Sequence, residues 1–593
     1  MARTAPAINA LSRLLALAAV TVVIGLLPWL SGSKPEYTIL RARYADREAT
    51  PETLAMIRDE LGLDRGPVAI FLAWAGGVAH GDLGTSWITN TPVGPGTVSA
   101  LGVSLTLMGC AVAAVLAVLL CVPAVARGLA GKPGSGSGAV AAGITALPEF
   151  LLAAMLLIVG AVLLGWFPPY GWQGLHHAVL PALSLGLPAG GLIGRLASEA
   201  ISAAFAEKWV ATWRLSGARR GQLTAAVLRR AMPSVTSQVG LVLIGLTGGA
   251  VAVEKVFAIP GLGRAILGAA SAQDIPALQA GVLALLVLAV IVGSACAAVR
   301  LLLLGRALRS GTVPAPETMR LPLRREMLLP LAVALALVLL VVAGLLRDPF
   351  ASEHARLAAP SLALPFGADA SGRDLLARVG HGALSTLGTS LLVVLVCLVL
   401  GLVIGLFPHA ATGPVEVANA APPILVGLMV AVVTGPSLLG AAIAVALVGW
   451  APLAAHAAAL GQEARARPFV KILPVLGVGP ARILFRYVLP AILGPVFRHA
   501  MLRIPGIALA LASLGFLGLG PRQPTPEWGL ILAEGINYVE RAPWTVAAPA
   551  AALVLTSVLA VSLSGLNWNR RQGNPGNNAP IREGHKSTAS SGE

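Results

Sequence analysis

The stretch TVSALGVSLTLMGCAVAAVLAVLLC, Thr97 to Cys121, runs for 25 residues without a charged side chain. At 1.5 Å per residue, a helix of that length reaches about 37 Å, more than the roughly 30 Å hydrocarbon core of a bilayer. Such runs recur along the chain, near residues 11–31, 98–124, 138–164, 178–203, 233–253 and 280–304. A second set lies near 327–346, 383–407, 421–436, 437–460, 491–519 and 544–567. Only 11% of the residues are charged, under half the roughly 25% of soluble domains. The expectation is an all-α membrane protein of about twelve transmembrane helices, with the 421–460 division the hardest to place. Leu14 to Leu30 follows Arg3 and Arg13 as a signal peptide does, but the many spans after it favour an uncleaved first helix.

Net charge is +16. No basic stretch carries interleaved aromatic residues, so the excess reads as loop topology, not nucleic-acid binding. Cys110, Cys121, Cys296 and Cys397 all lie inside apolar runs without a CxxC spacing. They read as small core residues, and no metal site is expected. Trp29, Trp528 and Trp544 fit an aromatic belt at the outer membrane surface.

The two sets of six divide the chain. A first half covers 1–304, with an outer segment at 32–97 long enough for small helices that receive a partner. A linker, GRALRSGTVPAPETMRLPLRRE, covers 305–326, a second half 327–569, and a tail of disordered composition 570–593. Residues 206–233 carry six basic side chains (Lys208, Arg214, Arg219, Arg220, Arg229, Arg230) against Glu207, and 461–490 carry five against Glu463. The segments 32–97 and 347–382 are nearly balanced. Basic loops favour the cytoplasm, which puts both termini, the linker and both loops there. Thr97–Cys121 matches GALSTLGTSLLVVLVCLVLGLVIGL in the second half. With an even span count per half, the repeat is parallel and implies a pathway between the halves.

The basic loops read EKWVATWRLSGARRGQLTAAVLRRAMPSV and ARPFVKILPVLGVGPARILFRYVLPAILGPV. Each is an amphipathic segment, a glycine (Gly217 or Gly477) and a second amphipathic segment, the pattern of a compact helical knob. A lone loop of this kind would answer to topology alone; two related ones suit a partner with two equivalent surfaces.

These loops resemble the "EAA" coupling loops of ATP-binding-cassette importer permeases. The first half is similar to the B-type subunit of the dipeptide/oligopeptide/nickel permeases, through LGLDRGPVAIFLAWAGGVAHGDLGTS (61–86) and GGAVAVEKVFAIPGLG (248–263). The second is similar to the C-type subunit, through LPFGADASGRDLLARVGHGALSTLGTSL (364–391) and LASLGFLGLGPRQPTPEWGLILAEGINYVERAPW (511–544). The chain looks like both subunits fused head to tail.

The resemblance implies two cytoplasmic ATPase domains, each gripping one knob, and an extracytoplasmic binding protein that delivers substrate. It implies a bacterial cell membrane location and no cofactor in this chain, ATP being bound by the partner subunits. The spacing GxxxxGK[ST] of a phosphate loop is absent, and GKPGSGSG at 131–138 reads as a flexible turn. The coupling positions carried over are Glu207, Trp209, Val210, Arg214 and Gly217, then Phe469, Val470 and Gly477. Pro474 stands where the family has Arg, so the second coupling helix is expected to be shorter or kinked.

For the pathway, Gly248 and Gly249 are expected to allow close helix packing, and Pro260, Gly261 and Gly263 to turn the chain. Glu254 has two readings: contact with a substrate ammonium or a bound cation at the pathway mouth, or local pairing that merely holds the gate, for instance with Lys255 or an Arg of the other half. Leu511 stands where C-type subunits carry Glu, so a single carboxylate is expected there. His456 and Arg503 are expected to line the pathway or the bundle interior. Short peptides are the expected substrate. The alternatives are nickel or a metal chelate, or, in another class, a twelve-span ion-coupled carrier.

Overall fold

In a computed structural model of the chain, residues 5–30, 35–44, 46–121, 125, 148–304, 327–420 and 422–564 are described. The 305–326 linker, the 131–138 turn and the 570–593 tail fall outside them. Among the described residues the secondary structure is helical, with two isolated β-bridges, Thr85 with Pro92 and Ala368 with Asp374.

In the first half the long elements are α1 (Ala5–Gly25), α2 (Val93–Cys121), α3 (Glu149–Leu156, widening into a π turn over Leu157–Leu163) and α4 (Leu175–Ala206). The short knob helix α5 (Lys208–Leu215) follows, then α6 (Arg220–Val256), α7 (Leu262–Ser271) and α8 (Ile275–Leu304). The segment between α1 and α2 folds into short helices, Pro35–Arg43, Pro51–Glu60 and Pro67–Ala79, as expected. It is pinned to the bundle by Asp274, whose carboxylate takes the Ser86 hydroxyl and the Trp87 N–H.

The second half runs α9 (Leu328–Leu345), α10 (Leu375–Gly405), α11 (Pro408–Ala420), α12 (Pro423–Thr434) and α13 (Leu438–Ala466). After the knob helix α14 (Pro468–Ile472) come α15 (Pro480–Ile483), α16 (Leu489–Met501), α17 (Ile504–Leu517), α18 (Trp528–Gly535) and α19 (Trp544–Ser564). Gly435 and Pro436 separate α12 from α13, so 421–460 holds two helices.

The expected count of about twelve spans is met only in part among the described residues. Seven described helices are long and apolar enough to cross a membrane, or eight if the pair Gly413–Asn419 and Pro423–Thr434, bent by 93°, is one span. Beyond these, α6 runs unbroken for 37 residues through the expected span 233–253; the remaining apolar helices are shorter, and proline placement explains several of them. The run 491–519 breaks at Leu502 and Arg503 before Pro505, and the first span breaks near Leu26 before Pro28.

The halves pack mainly on themselves: α2 on α4, α4 on α6, α6 on α8, and correspondingly α10 on α13 and α17. One helix departs from the repeat. α1 packs along α11 of the other half, and the Gly413 N–H donates to the Ser12 hydroxyl at 3.0 Å. Its counterpart α9 stays at home, on α10 and α19. Gly344 of α9 and Gly380 of α10 allow this, since a Cβ on Gly344 would lie 2.7 Å from the Gly380 Cα. Of the cysteines, Cys397 is buried and Cys121 exposed, so the expectation of four core thiols holds only in part. Trp528 is fully buried, with its indole N–H donating to the Val379 carbonyl at 2.8 Å. It is a core residue, not part of an aromatic belt.

Candidate functional site: two knobs and the seam between the halves

Both knobs end the same way. In the first, Gly217 has φ +75° and its N–H donates to the Arg214 carbonyl, while Ala218 N–H donates to that of Trp213. In the second, Gly477 has φ +77°, its N–H donates to the Pro474 carbonyl, and Val478 N–H donates to that of Leu473. This paired pattern around a left-handed glycine closes a helix and turns the chain sharply. Pro474 therefore keeps its role as acceptor in the cap. What it removes is an amide donor, and α14 has 5 residues against 8 in α5. The second knob helix is shorter, as expected.

Each knob is seated by one valine, Val210 or Val470, both buried. Glu207 turns inward. Its carboxylate pairs with Arg230 at 3.1 Å and accepts the Trp209 indole N–H at 2.8 Å, which ties α5 to the start of α6. Arg214 lies over the Phe205 ring, 5.8 Å from its centroid. Outward on the knobs stand Trp213, Leu215, Phe469, Val475 and Leu476, all exposed.

At the opposite ends of α6 and α17 the halves meet. Gly248 lies against Pro422 of the second half, and a Cβ there would come within 2.5 Å of the Pro422 Cβ. Gly249 faces inward to Leu185 and Glu149. Lys255 reaches across to donate to the Phe516 carbonyl at 3.0 Å and sits over its ring. Phe516 stacks in turn on Phe150 of the first half, with centroids 5.5 Å apart. Beyond these contacts opens a cleft of about 420 Å³. Ala270, Ser271 and Gln273 line it from the first half; Thr434, Pro436 and Arg522 line it from the second.

Glu254 does not face that cleft. It is fully buried, and its carboxylate accepts the Ser104 hydroxyl at 2.6 Å and the Arg264 backbone N–H at 2.9 Å. Ser104 in turn accepts the Leu262 N–H at 2.8 Å. Its partners are local, in keeping with the second sequence reading, but they are Ser104 and the Arg264 N–H, a lock on α7, and not Lys255 or an arginine of the other half. Gly261 and Gly263 are needed because the carboxylate occupies the space a Cβ would take; Pro260 is exposed on the turn.

The second half holds a buried carboxylate of its own, not at Leu511 but at the start of α18. Leu511 is buried and apolar, but Glu527, 16 positions on, folds back against Gly515. It accepts the Gly529 and Leu530 N–H groups at 2.9 and 2.8 Å and the Thr386 hydroxyl at 3.3 Å, and Thr386 accepts the Trp528 N–H. Burial pushes the Glu527 carboxyl up to about 7, against these three donors, which favour the ionised form. The sequence signal that marks it is an acid directly before a helix start, after Pro524 and Thr525-Pro526. Around α18, Arg378 is fully buried between Asp369 (2.8 Å) and Glu534 (2.5 Å), and Arg373 pairs with the same two acids.

His456 and Arg503 lie in the second half beside His499. The two imidazoles stack at 4.6 Å, and Arg503 stands at the break between α16 and α17, half-buried. No group of three or more metal-ligating side chains comes together among the described residues.

Residues 139–310, and again 398–570, match the family described as binding-protein-dependent transport system inner membrane component. The chain belongs to that family. Two matches in one chain make it a fused permease of two halves, and it is a permease component of a binding-protein-dependent ABC importer. Membership of that family implies ATPase and substrate-binding partners in general, and a multi-pass place in a bacterial membrane. The permease is 36% identical over 207 residues to a di/tripeptide transport system permease protein DppC of Pseudomonas aeruginosa, covering 34% of this chain and 68% of that one. It is 32% identical over 218 residues to a dipeptide transport system permease protein DppC of Alkalihalophilus pseudofirmus, covering 35% and 71%. A glutathione transport system permease protein GsiC of Pectobacterium atrosepticum is 32% identical over 243 residues, covering 40% and 79%.

Proposed function

We propose that this permease forms the pathway of an ATP-driven importer of di- and oligopeptides. The observation that carries the mechanism is the pair of knobs with one capping pattern, each continuous with helices that run to the seam. α5 leads into α6, which ends at Gly248–Glu254 on the seam; α14 leads through α15 and α16 to α17, which ends at Phe516. Two ATPase domains, one seated on each knob and binding the ATP, move the knobs as they close. The exposed apolar side chains Trp213, Leu215, Phe469, Val475 and Leu476 supply contact surface of the kind that interfaces bury. Because each knob is stapled to its half through Val210 or Val470, and in the first through Glu207–Arg230, the motion reaches the seam as rigid-body displacement of helices.

The Lys255–Phe516 contact and the Gly248–Pro422 contact are then the closures that part when the pathway opens. The cleft beside Gln273 and Arg522 is the mouth that receives peptide from a binding protein. Its volume falls in the range of small-molecule sites. The excess of basic residues in both knob segments supports a cytoplasmic position for the knobs and both termini. The peptide substrate is supported by the similarity to di- and tripeptide transport permeases.

The test is uptake of radiolabelled dialanine into vesicles holding the permease, its ATPases and its binding protein. Uptake that needs ATP hydrolysis and the binding protein is expected, with Ni²⁺ as the competing cargo. Peptide uptake driven by an ion gradient without ATPases would overturn the reading.

A further inference from the structure

Glu149 is an acid that no other side chain holds among the described residues. It opens α3 on the seam, with its Cδ 3.5 Å from where a Cβ on Gly249 would stand. The neighbouring Gly248 meets Pro422 of the second half, and the neighbouring Phe150 stacks on Phe516 of the second half. Contacts that cross the seam therefore flank Glu149 on both sides. The side chain is half-buried, not sealed.

The other acids in the bundle core show what a structural role requires. Glu254, Glu527, Asp274 and Asp369 each hold a hydroxyl, two or more backbone N–H groups or a guanidinium. Among the described residues Glu149 holds only its own backbone N–H; no basic side chain lies within ion-pair distance. Helix initiation favours an acid at this position but does not require one. α3 starts after Pro148 in the same way that α12 starts after Pro422, and there the first residue is Pro423. An ionised carboxylate in apolar surroundings without a counter-charge is costly, and in a membrane protein such a group marks a ligand path.

We propose that Glu149 binds the ammonium group of a peptide as it passes between the two halves. The assignment rests on the peptide reading above and adds the residue that engages the substrate's charge. A carboxylate and an ammonium form charge-assisted hydrogen bonds that strengthen away from water, and the Phe150–Phe516 pair keeps the place apolar. A divalent cation would need further ligating side chains, which do not gather here among the described residues.

The experiment compares wild type, E149Q and E149D in vesicles with ATPases and binding protein, at saturating peptide-loaded binding protein. E149Q is expected to lower dialanine uptake at least tenfold, with E149D between the two and ATP hydrolysis in the absence of peptide unchanged. Wild type that takes up no peptide sinks the peptide reading and this assignment with it. Wild-type uptake with E149Q within twofold sinks the assignment alone. Should E149Q fail to assemble, E149C in a chain freed of its four native cysteines is treated with a trimethylammonium methanethiosulfonate. Labelling that dialanine slows is the expected result; no labelling, or labelling at one rate with and without peptide, overturns the proposal.

Discussion

Lys255 of the first half donates to the backbone carbonyl of Phe516 in the second, 261 positions away, at 3.0 Å. It joins the far ends of α6 and α17, the two helices that continue from the knobs. The bond has a charged donor, but Lys255 keeps solvent access, so its worth falls to about 1 kcal/mol. K255M is expected to raise the population of separated halves roughly fivefold. Distances between spin labels on α7 and α12 read that population directly, and an unchanged distribution counts against the tether.

Ser104 and Thr386 carry the two locks on α7 and α18. Each hydroxyl accepts the first N–H of a short helix and donates to a buried carboxylate. Removing either leaves a buried N–H and one carboxylate oxygen short of a partner, a loss of about 1–3 kcal/mol. S104A and T386A should each lower the midpoint of thermal unfolding in detergent by a few degrees. S104A should add little once Glu254 is replaced by Gln, whereas T386A should add its full effect there, because the locks sit in different halves.

How much of this is legible in the sequence depends on whether a feature is local. The glycine turns at Gly217 and Gly477 and the shortening at Pro474 follow from residues within a few positions, and they appear as expected. The second carboxylate is not local. A positional comparison of the halves looks for it at Leu511, whereas it is Glu527, folding back from the start of α18. The packing of α1 on α11 likewise depends on a partner 400 residues away, and an apolar helix reads the same whichever neighbour it covers. Trp528 looks like a belt residue by type; only the Val379 carbonyl facing its indole shows otherwise. Glu149 is visible as a lone acid in an apolar run, but its lack of a partner is a property of three dimensions.

Arg378 anchors α10 to α18 through Asp369 and Glu534, with no exposure to solvent. R378M leaves two acids facing one remaining guanidinium, Arg373, and is expected to cost about 3–5 kcal/mol, as breaking buried pairs does. The combination R378M/E534L should recover part of that loss. Yield of monodisperse protein and its thermal midpoint report both, and a double variant no better than R378M alone would rule out charge imbalance as the cause.

Glu527 gives a pH dependence whose sign is fixed. Its folded value is raised from 4.5 to about 7, so the native state holds the proton more tightly than the unfolded chain. The stability this contributes is fully present below about pH 4.5 and is lost as pH rises through 7. Thermal midpoints should therefore fall between pH 5 and pH 8, and E527Q should flatten that slope while lowering the value at pH 5. A slope equal in wild type and E527Q would assign the titration elsewhere.

The knobs predict unequal partners. α5 has 8 residues, a Glu207–Arg230 ion pair and an edge-on Trp209–Trp213 pair that steadies the exposed Trp213. α14 has 5 residues and a looser Phe469–Tyr487 contact at 6.5 Å. A longer helix held at more points presents its surface with less ordering still to be done, and preorganised surfaces bind more tightly. Replacing residues 206–233 with a flexible linker should therefore weaken ATPase binding more than the same change at 461–490. At the level of single residues, V210D should cost more affinity than V470D, since Val210 seats the better-ordered helix. Surface-bound ATPase titrated with each detergent-purified variant gives the comparison, and equal losses from the two knobs would show that helix length and bracing do not set the grip.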